Sequence, residues 1–382
     1  MKYGLALMFW MFCLVSGAQI TSCLGDLNNS GTIEVNDVLN LLGGFGCSTD
    51  CGAADLNDDG AVNVEDVLMQ LAVFGASCPT VVPQVWADST FGISFQENLI
   101  YGQGFAHEDW GGPIIDTIHL GLDAYIPDNE ELLRPALVLI HGGGFFGGSS
   151  SVNALVDLAH SYASRGWVVF SINYRLSGDR GTVPSSWLYA VSQLPDGVDA
   201  NQALAMYPAN RDARAALRWA KHNAGAYNID PAYISVLGGS AGAFISVALG
   251  VANQEDYLSE LSVEEDPSLL STHLEETFEL RCILDFWGGR ASVDILDALD
   301  SGDRFDSADV PLMIVHGTED PTVLFSESES IFAEYSATGV PCAFYPIEGE
   351  GHSIWQSNYE GIPFWQLGYN FMVEQQALQI QN

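Results

Sequence analysis

Basic residues are scarce. The chain of 382 residues has 12 Lys+Arg against 49 Asp+Glu, a formal net charge of −37, and residues 19–90 contain no Lys or Arg. Phosphate binding needs a basic surface, so nucleic acid is excluded as a partner. The acid excess suits solubility and calcium binding. Long apolar runs are missing too. Tyr3 to Val15 is too short for a comfortable transmembrane helix, and no other stretch is long enough to span a bilayer. Cysteine is sparse over most of the length. Cys23, Cys47, Cys51 and Cys78 crowd one small segment, as in an oxidised, exported module. Cys13 lies in the leader, and Cys282 and Cys342 each open an apolar run as free buried thiols. With 48% apolar residues, a sizeable core is available.

Residues 1–18 begin with Lys2, continue through the Tyr3–Val15 run and end in Ser16-Gly17-Ala18. That pattern is a secretory signal, cleaved before Gln19, and it predicts a secreted protein. Ile20-Thr21-Ser22-Cys23 also resembles a bacterial lipobox, which would anchor the chain on an outer surface at Cys23. Against anchoring, Cys23 and Cys51 stand three and four residues before the two copies of a repeat, a parallel placing that suggests disulfides. Four cysteines allow three pairings, and sequence does not choose among them.

Within 23–78 the repeat has a period of 29 residues, Asp26 to Asp55. Each copy fits a calcium loop, with oxygen ligands at positions 1, 3, 5 and 12, a carbonyl at 7 and glycine at 6. The first set is Asp26, Asn28, Ser30, the Thr32 carbonyl and Asp37; the second is Asp55, Asn57, Asp59, the Ala61 carbonyl and Asp66. Ser30 is neutral where Asp59 is charged, so the first loop should bind Ca2+ more weakly. One short helix is predicted after each loop, Val38–Leu42 and Val67–Phe74, with none before it. Paired loop–helix copies with Asp at position 12 resemble the dockerin type I module. The resemblance implies a cohesin-type scaffold partner. The flanking cysteines depart from the usual dockerin pattern and leave open a calcium-stabilised structural or attachment module without such a partner.

Residues 79–90, with Pro79 and Pro83, read as a semi-rigid spacer. From about Phe91 to the end at 382, strand patterns alternate with helical ones. Ile115–Ile126 reads as an outer antiparallel strand, and Arg134–Ile140 and Trp167–Tyr174 as buried strands. Asn153–Ala163, Asn210–Asn223 and Asn370–Gln379 read as helices. Cys282–Trp287, Leu312–Val315 and Ala343–Ile347 complete the strands. This alternation predicts a mostly parallel sheet covered on both faces, with ligands beyond the carboxyl ends of its strands.

Four chemically pointed segments fall at those ends: His141-Gly142-Gly143-Gly144-Phe145, Gly238-Gly239-Ser240-Ala241-Gly242, His316-Gly317-Thr318-Glu319-Asp320, and Gly349-Glu350-Gly351-His352. Serine is a poor nucleophile unless a base takes its proton. Ser240 is the candidate nucleophile, His352 the base and Asp320 the acid that fixes the imidazole, with Glu319 second choice. Backbone N–H groups of Gly143, Gly144 and Ala241 are candidate oxyanion donors. Phe145, Phe146, Phe286, Trp287 and Trp355 are candidate pocket walls.

The order Ser–Asp–His is that of α/β-hydrolases. Together with Ser171-Ile172-Asn173-Tyr174-Arg175-Leu176, Asp212-Ala213-Arg214-Ala215-Ala216-Leu217-Arg218-Trp219 and Asn228-Ile229-Asp230-Pro231, these segments make 134–352 similar to secreted carboxylesterases and lipases of the hormone-sensitive-lipase-like, His-Gly-Gly-Gly type. The resemblance implies an α/β-hydrolase fold, hydrolysis of carboxylic esters through an acyl-enzyme and no catalytic cofactor. Dockerins often accompany polysaccharide-degrading enzymes, which by analogy points to carbohydrate-linked acetyl or feruloyl esters. Two alternatives stay open: a serine peptidase of the same fold, and a calcium-dependent binding protein with an inactive esterase domain. Residues 177–209 and 252–280 are longer than the resemblance requires, as cap segments or as surface decoration.

Overall fold

The apolar residues after each acidic loop are spaced for one short helix, and each repeat forms one. In the computed structural model these are α1 (Val35–Gly43) and α2 (Val64–Ala72). The structure describes residues 24–28, 31–49, 51–77, 82–131 and 133–382. The leader, the lipobox-like stretch, Cys23, Ser30 and Cys78 lie outside the described residues. Two units are formed, 1–81 and 82–382.

In the first unit, Leu41, Leu56 and Val62 make a small core. The repeats clasp each other reciprocally. Ile33 exchanges backbone hydrogen bonds with Gly75 and Ala76 after α2, and Val62 does the same with Gly46 and Cys47 after α1. A disulfide joins Cys47 to Cys51, one of the pairings that sequence left open.

In the second unit, β1 (Gln84–Trp86), β2 (Ile93–His107), β3 (Ile114–Pro127) and β4 (Arg134–Ile140) precede α3 (Asn153–Ala163) and β5 (Val168–Ile172). Next come α4 (Ser185–Ser192), α5 (Ala200–His222), the short α6 (Ala224–Tyr227), β6 (Ile229–Gly239) and α7 (Ala241–Val251). Then follow β7 (Ile283–Phe286), α8 (Ala291–Asp300), β8 (Leu312–Gly317), α9 (Phe325–Thr338), β9 (Cys342–Ile347), α10 (Phe364–Gln376) and β10 (Gln379–Gln381). Eight strands form one sheet in the order β2-β3-β5-β4-β6-β7-β8-β9. β3 is antiparallel to both neighbours, and from β5 to β9 every pair is parallel. β4, β5, β7 and β8 are buried along their whole length. Their uninterrupted apolar sequences follow from burial on both faces. One face carries Val138, Phe170 and Val236 against α5, α7 and α9. The other carries Leu137, Val169 and Leu284 against α3 and α10. This is the α/β-hydrolase arrangement.

Three readings change. Part of the 79–90 spacer is strand: Gln84, Val85 and Trp86 pair in parallel with Gln379, Ile380 and Gln381, and Val85 is fully buried. The helix expected from Asn210 begins ten residues earlier, at Ala200, with Asp199 accepting from Asn201 and Gln202 N–H as its N-cap. Pro208 lies inside this helix. Proline interrupts helical hydrogen bonding, so the sequence pattern marks a helix only after it. Finally, β3 is not the outermost strand, because β2 covers its edge with three irregularities in register. Cys282 and Cys342 are free thiols, the first buried and the second half-buried. Among the described residues no helix is long and apolar enough to cross a membrane.

One buried acid carries a stability prediction. Asp285 is fully buried on β7, and its Oδ1 accepts from Gly288 N–H at 2.7 Å. Among the described residues its Oδ2 has no hydrogen-bond partner. Burial pushes its pKa up to about 7, against the lowering effect of the Gly288 bond. A carboxyl whose pKa is raised on folding costs stability as pH climbs from the unfolded value to the folded one. That loss accrues at about 1.4 kcal/mol per pH unit. Asp285→Asn keeps an acceptor for Gly288 and removes the charge. It should therefore gain thermal stability over wild type between pH 5 and 8 and match it near pH 4, as scanning calorimetry across that range would read.

Candidate active site

The sequence before Ser240 is a buried strand, and the sequence after it is an apolar helix, so the serine falls on the corner between β6 and α7. Its backbone sits at φ 55° and ψ −123°, a conformation that a side-chain-bearing residue holds only when its surroundings impose it. The corner closes because Gly238 and Gly242 carry no Cβ: one at Gly238 would overlap the Gly242 carbonyl, and one at Gly242 would overlap that of Ile140. Ser240 N–H donates to the Phe286 carbonyl at 2.9 Å, fixing the corner to the neighbouring strand.

Ser240 Oγ lies 2.9 Å from His352 Nε2, and His352 Nδ1 lies 2.6 Å from Asp320 Oδ2. Residues 80 and 32 positions apart in sequence thus form one continuous hydrogen-bonded relay. Asp320 is buried at the end of β8, whereas Glu319 is exposed, which decides between the two acids. Asp320 Oδ1 accepts from Thr322 and Val323 N–H at 2.8 and 3.0 Å. Burial pushes the Asp320 carboxyl up, but its bonds from His352, Thr322 and Val323 outweigh that and hold it below the ordinary carboxylate range.

The chain before Gly142 is the end of β4, which delivers the glycine loop beside Ser240. Gly143 and Gly144 have φ of 117° and 62°, and the Gly143 carbonyl accepts from Phe146 and Gly147 N–H. Among the described residues, the N–H groups of Gly143, Gly144 and Ala241 donate to no other backbone carbonyl. All three residues border the same cavity as Ser240 and His352. His141 is not part of the relay. It stacks on Tyr174 at 4.2 Å, and burial pushes its pKa down to about 4, so it is a neutral support for the loop.

The cavity has a volume of 1210 Å³. Phe145, Leu155, Leu194, Met206, Phe244, Trp287 and Trp355 are among its walls. Of the aromatics singled out above, Phe146 is exposed and Phe286 is buried beneath the site, so neither forms a wall. The two long segments differ in role. Ala190, Leu194, Val198, Asp199, Gln202 and Met206, all from 177–209, border the cavity. No residue of 252–280 does; that segment packs on α5 instead, with Arg211 paired to Asp266 at 3.0 Å.

Three roles carry no recognisable sequence signal, although His316 lies within one of the four segments and Trp355 is one of the candidate walls. His316 Nε2 lies 3.2 Å from Asp320 Oδ2 and 3.0 Å from the Val323 carbonyl, while its Nδ1 lies 2.6 Å from Ser328 Oγ. Two acceptors at Nε2 require the proton there; it bonds to the Val323 carbonyl and lies close beside the acid. Trp355 covers Gly239, where a Cβ would overlap its indole. Gln202 Nε2 donates to the Gly144 carbonyl at 3.1 Å and ties the glycine loop to α5. Removing an oxyanion donor costs about 10²–10³ in kcat. Gln202 acts only through the loop, so Gln202→Ala should lower kcat about tenfold, less than that bound. Steady-state hydrolysis of p-nitrophenyl acetate would show it, with the folded fraction unchanged by circular dichroism.

Comparison with known proteins agrees with this geometry. The para-nitrobenzyl esterase of Bacillus subtilis is 26% identical over 244 residues, covering 61% of this chain and 47% of that protein. The fumonisin B1 esterase of Sphingopyxis macrogoltabida is 30% identical over 166 residues, 43% of this chain and 28% of that one. The chain thus spans less than half the length of either relative. A truncated carbohydrate esterase from gut microbiota superposes with a TM-score of 0.51 at 20% identity, over 77% of this chain and 99% of that one, which supports the fold. A family model described as BD-FAE matches residues 122–186. That of the prolyl oligopeptidase family matches 156–378, more than half of the sequence. The chain belongs to the prolyl oligopeptidase family, within the α/β-hydrolase fold.

Proposed function

We propose that this protein is a serine carboxylic-ester hydrolase acting through an acyl-enzyme on Ser240. The observation that carries the proposal is the Asp320–His352–Ser240 relay, at 2.6 and 2.9 Å, opening on a largely apolar cavity beside three backbone N–H groups with no backbone acceptor among the described residues. Ser240 Oγ attacks the ester carbon as His352 Nε2 takes its proton. The oxyanion faces the N–H groups of Gly143, Gly144 and Ala241. The alcohol leaves with the proton from His352, and water then releases the acid by the same steps. Asp320 stays ionised throughout and stabilises the imidazolium.

The esterase relatives and the BD-FAE match support the hormone-sensitive-lipase-like reading, and the cavity has room for a feruloyl as well as an acetyl group. The decisive assay is p-nitrophenyl ester hydrolysis from acetate to laurate, run beside acetylated and feruloylated sugars. A short-chain optimum with turnover of the sugar esters is the expected result. A long-chain optimum would make it a lipase. The family's description favours one other reading, a peptidase; turnover of peptide amides but not of esters would replace the proposal with it.

The first unit we read as a dockerin-like calcium module of a secreted enzyme. Its loops offer the all-oxygen donor set that a hard cation needs. In the second loop, Asp55 carboxylate oxygens accept from Asp59 and Gly60 N–H, which curls the chain around them. Asp66, fully buried, closes the loop: Oδ1 takes Leu56 and Asn57 N–H, and Oδ2 takes Asn63 N–H. Oδ1 is then saturated, and Oδ2 keeps a lone pair for the ion. Asp37 is bonded in the same way by Leu27, Asn28 and Glu34. The residues fit calcium. Val35, Leu39 and Leu42 on α1, and Val64, Leu68 and Leu71 on α2, are exposed at matching repeat positions, an apolar face suited to a cohesin-type partner. Chelation should melt this unit, because binding energy is folding energy in so small a core. Hydrogen exchange over 24–77 should rise on adding EGTA while ester turnover holds. Unchanged protection would remove calcium from the account. N-terminal sequencing from Gln19, or a lipid on Cys23, would separate secretion from anchoring.

A further inference from the structure

The α5 helix ends in Lys221 and His222, and the 252–280 segment returns beside it with His273, Glu275 and Glu276. The two imidazole centroids lie 4.2 Å apart, with their planes tilted by 31°. One ligand atom from each of His222, His273 and Glu275 lies within 4.8 Å of the others. Glu275 Oε1 is 3.5 Å from His273 Nδ1, and Glu276 Oε1 is 3.4 Å from His222 Nδ1. Lys221 Nζ offsets part of this acid charge, 3.6 Å from Glu276 Oε2.

These groups are held in place by bonds that do not involve them. Arg218, one helical turn before His222, donates from Nε to the Thr272 carbonyl at 2.7 Å and from NH2 to Thr272 Oγ1 at 3.2 Å. Thr272 adjoins His273. The backbone on both sides is therefore fixed before any ligand arrives, which lowers the ordering cost of binding. Arg218 and Thr272 are both buried, whereas the histidines reach the surface, open to an ion from solvent.

We propose that His222, His273 and Glu275, with Glu276 beside them, form a zinc-class metal site that staples the 252–280 segment to the end of α5. Two neutral imidazole nitrogens and a carboxylate oxygen make a set of borderline softness, suited to Zn2+. Calcium prefers oxygen alone, so the acidic loops and this site select different ions. None of the four residues borders the reaction cavity, so the role is structural.

The test uses the full chain saturated with Ca2+. Titration calorimetry with ZnCl2 should find one equivalent bound by wild type. His222→Ala and His273→Ala should each weaken it about a hundredfold, since even losing a group behind a ligand costs about 10–100-fold. Co2+ should give the visible absorption of a four-coordinate site in wild type alone. Zinc should slow hydrogen exchange over 270–278 in wild type and not in the variants. Hydrolysis of p-nitrophenyl acetate should be equal in all three proteins. Equal zinc affinity in wild type and both variants, or binding that leaves 270–278 exchange unchanged, would overturn the proposal.

Discussion

Ser240→Ala should abolish ester hydrolysis, with kcat falling about 10⁶-fold, the size seen when a serine nucleophile is removed from a hydrogen-bonded relay. The fold should survive. Serine and alanine carry the same Cβ and pay the same backbone cost at φ 55°. The Ser240 N–H bond to Phe286 is a backbone bond and remains. The lost hydroxyl donates only to His352, which stays tied to Asp320. Thermal unfolding should therefore match wild type. Substrate binding should persist too, because the cavity walls and the oxyanion donors are untouched. The check is single-turnover hydrolysis of p-nitrophenyl acetate beside labelling by a fluorophosphonate probe. Wild type should label at Ser240 and the variant should not. Residual turnover above about 10⁻³ of wild type would mean that another nucleophile does the work.

That prediction rests on residues legible in the sequence. Ser240, Asp320 and His352 could be read because each follows a run whose apolar pattern marks a parallel strand, buried before Ser240 and Asp320 and half-buried at the sheet edge before His352. Such a sheet brings strand ends together however far apart they lie along the chain. The central parallel strands β4, β5, β7 and β8 were legible for a related reason, burial on both faces. β2 was not: its first half is exposed, it carries Gly102 and Gly104, and its register slips three times, so no period of two survives. The N-terminal half of α5 was hidden by Pro208, a local breaker overruled by packing, for that turn is buried throughout. His316 was in view within a recognised segment but carried no role. Its partnership with Asp320 depends on how the chain turns at Pro321, and a lone histidine after a strand has many uses. Trp355 was legible as a pocket wall, but its packing over Gly239 and the Gln202 bond to the Gly144 carbonyl are contacts with backbone and glycine, which leave no pattern in sequence.

The role of His316 sharpens the second large prediction, on Asp320→Asn. Asp320 Oδ1 faces two N–H donors, from Thr322 and Val323, and Oδ2 faces two more, from His352 and His316. Burial pushes the His316 pKa down, so that ring stays neutral and donates through Nε2. Every direction around the carboxylate is thus occupied by a donor. An asparagine must put its NH2 against one pair. Turned toward the loop, it opposes Thr322 and Val323; turned toward the rings, it opposes His316 and drives His352 into the tautomer that cannot take the Ser240 proton. The second orientation costs about 10⁴ in kcat, as wrong-tautomer substitutions do. Either orientation leaves buried donors unpaired, at about 1–3 kcal/mol each. Asp320→Asn should therefore lose both activity and thermal stability, unlike Ser240→Ala, which loses activity alone. The stability arm has a pH signature. A carboxyl held below its ordinary pKa stabilises the fold above the unfolded value, and that stabilisation fades as pH falls through the folded one. The stability gap between wild type and Asp320→Asn should accordingly be widest near pH 7 and narrow below pH 4. Calorimetry of both proteins from pH 3 to 8 reads it directly, and a gap independent of pH would show that Asp320 holds no more than its place in the packing.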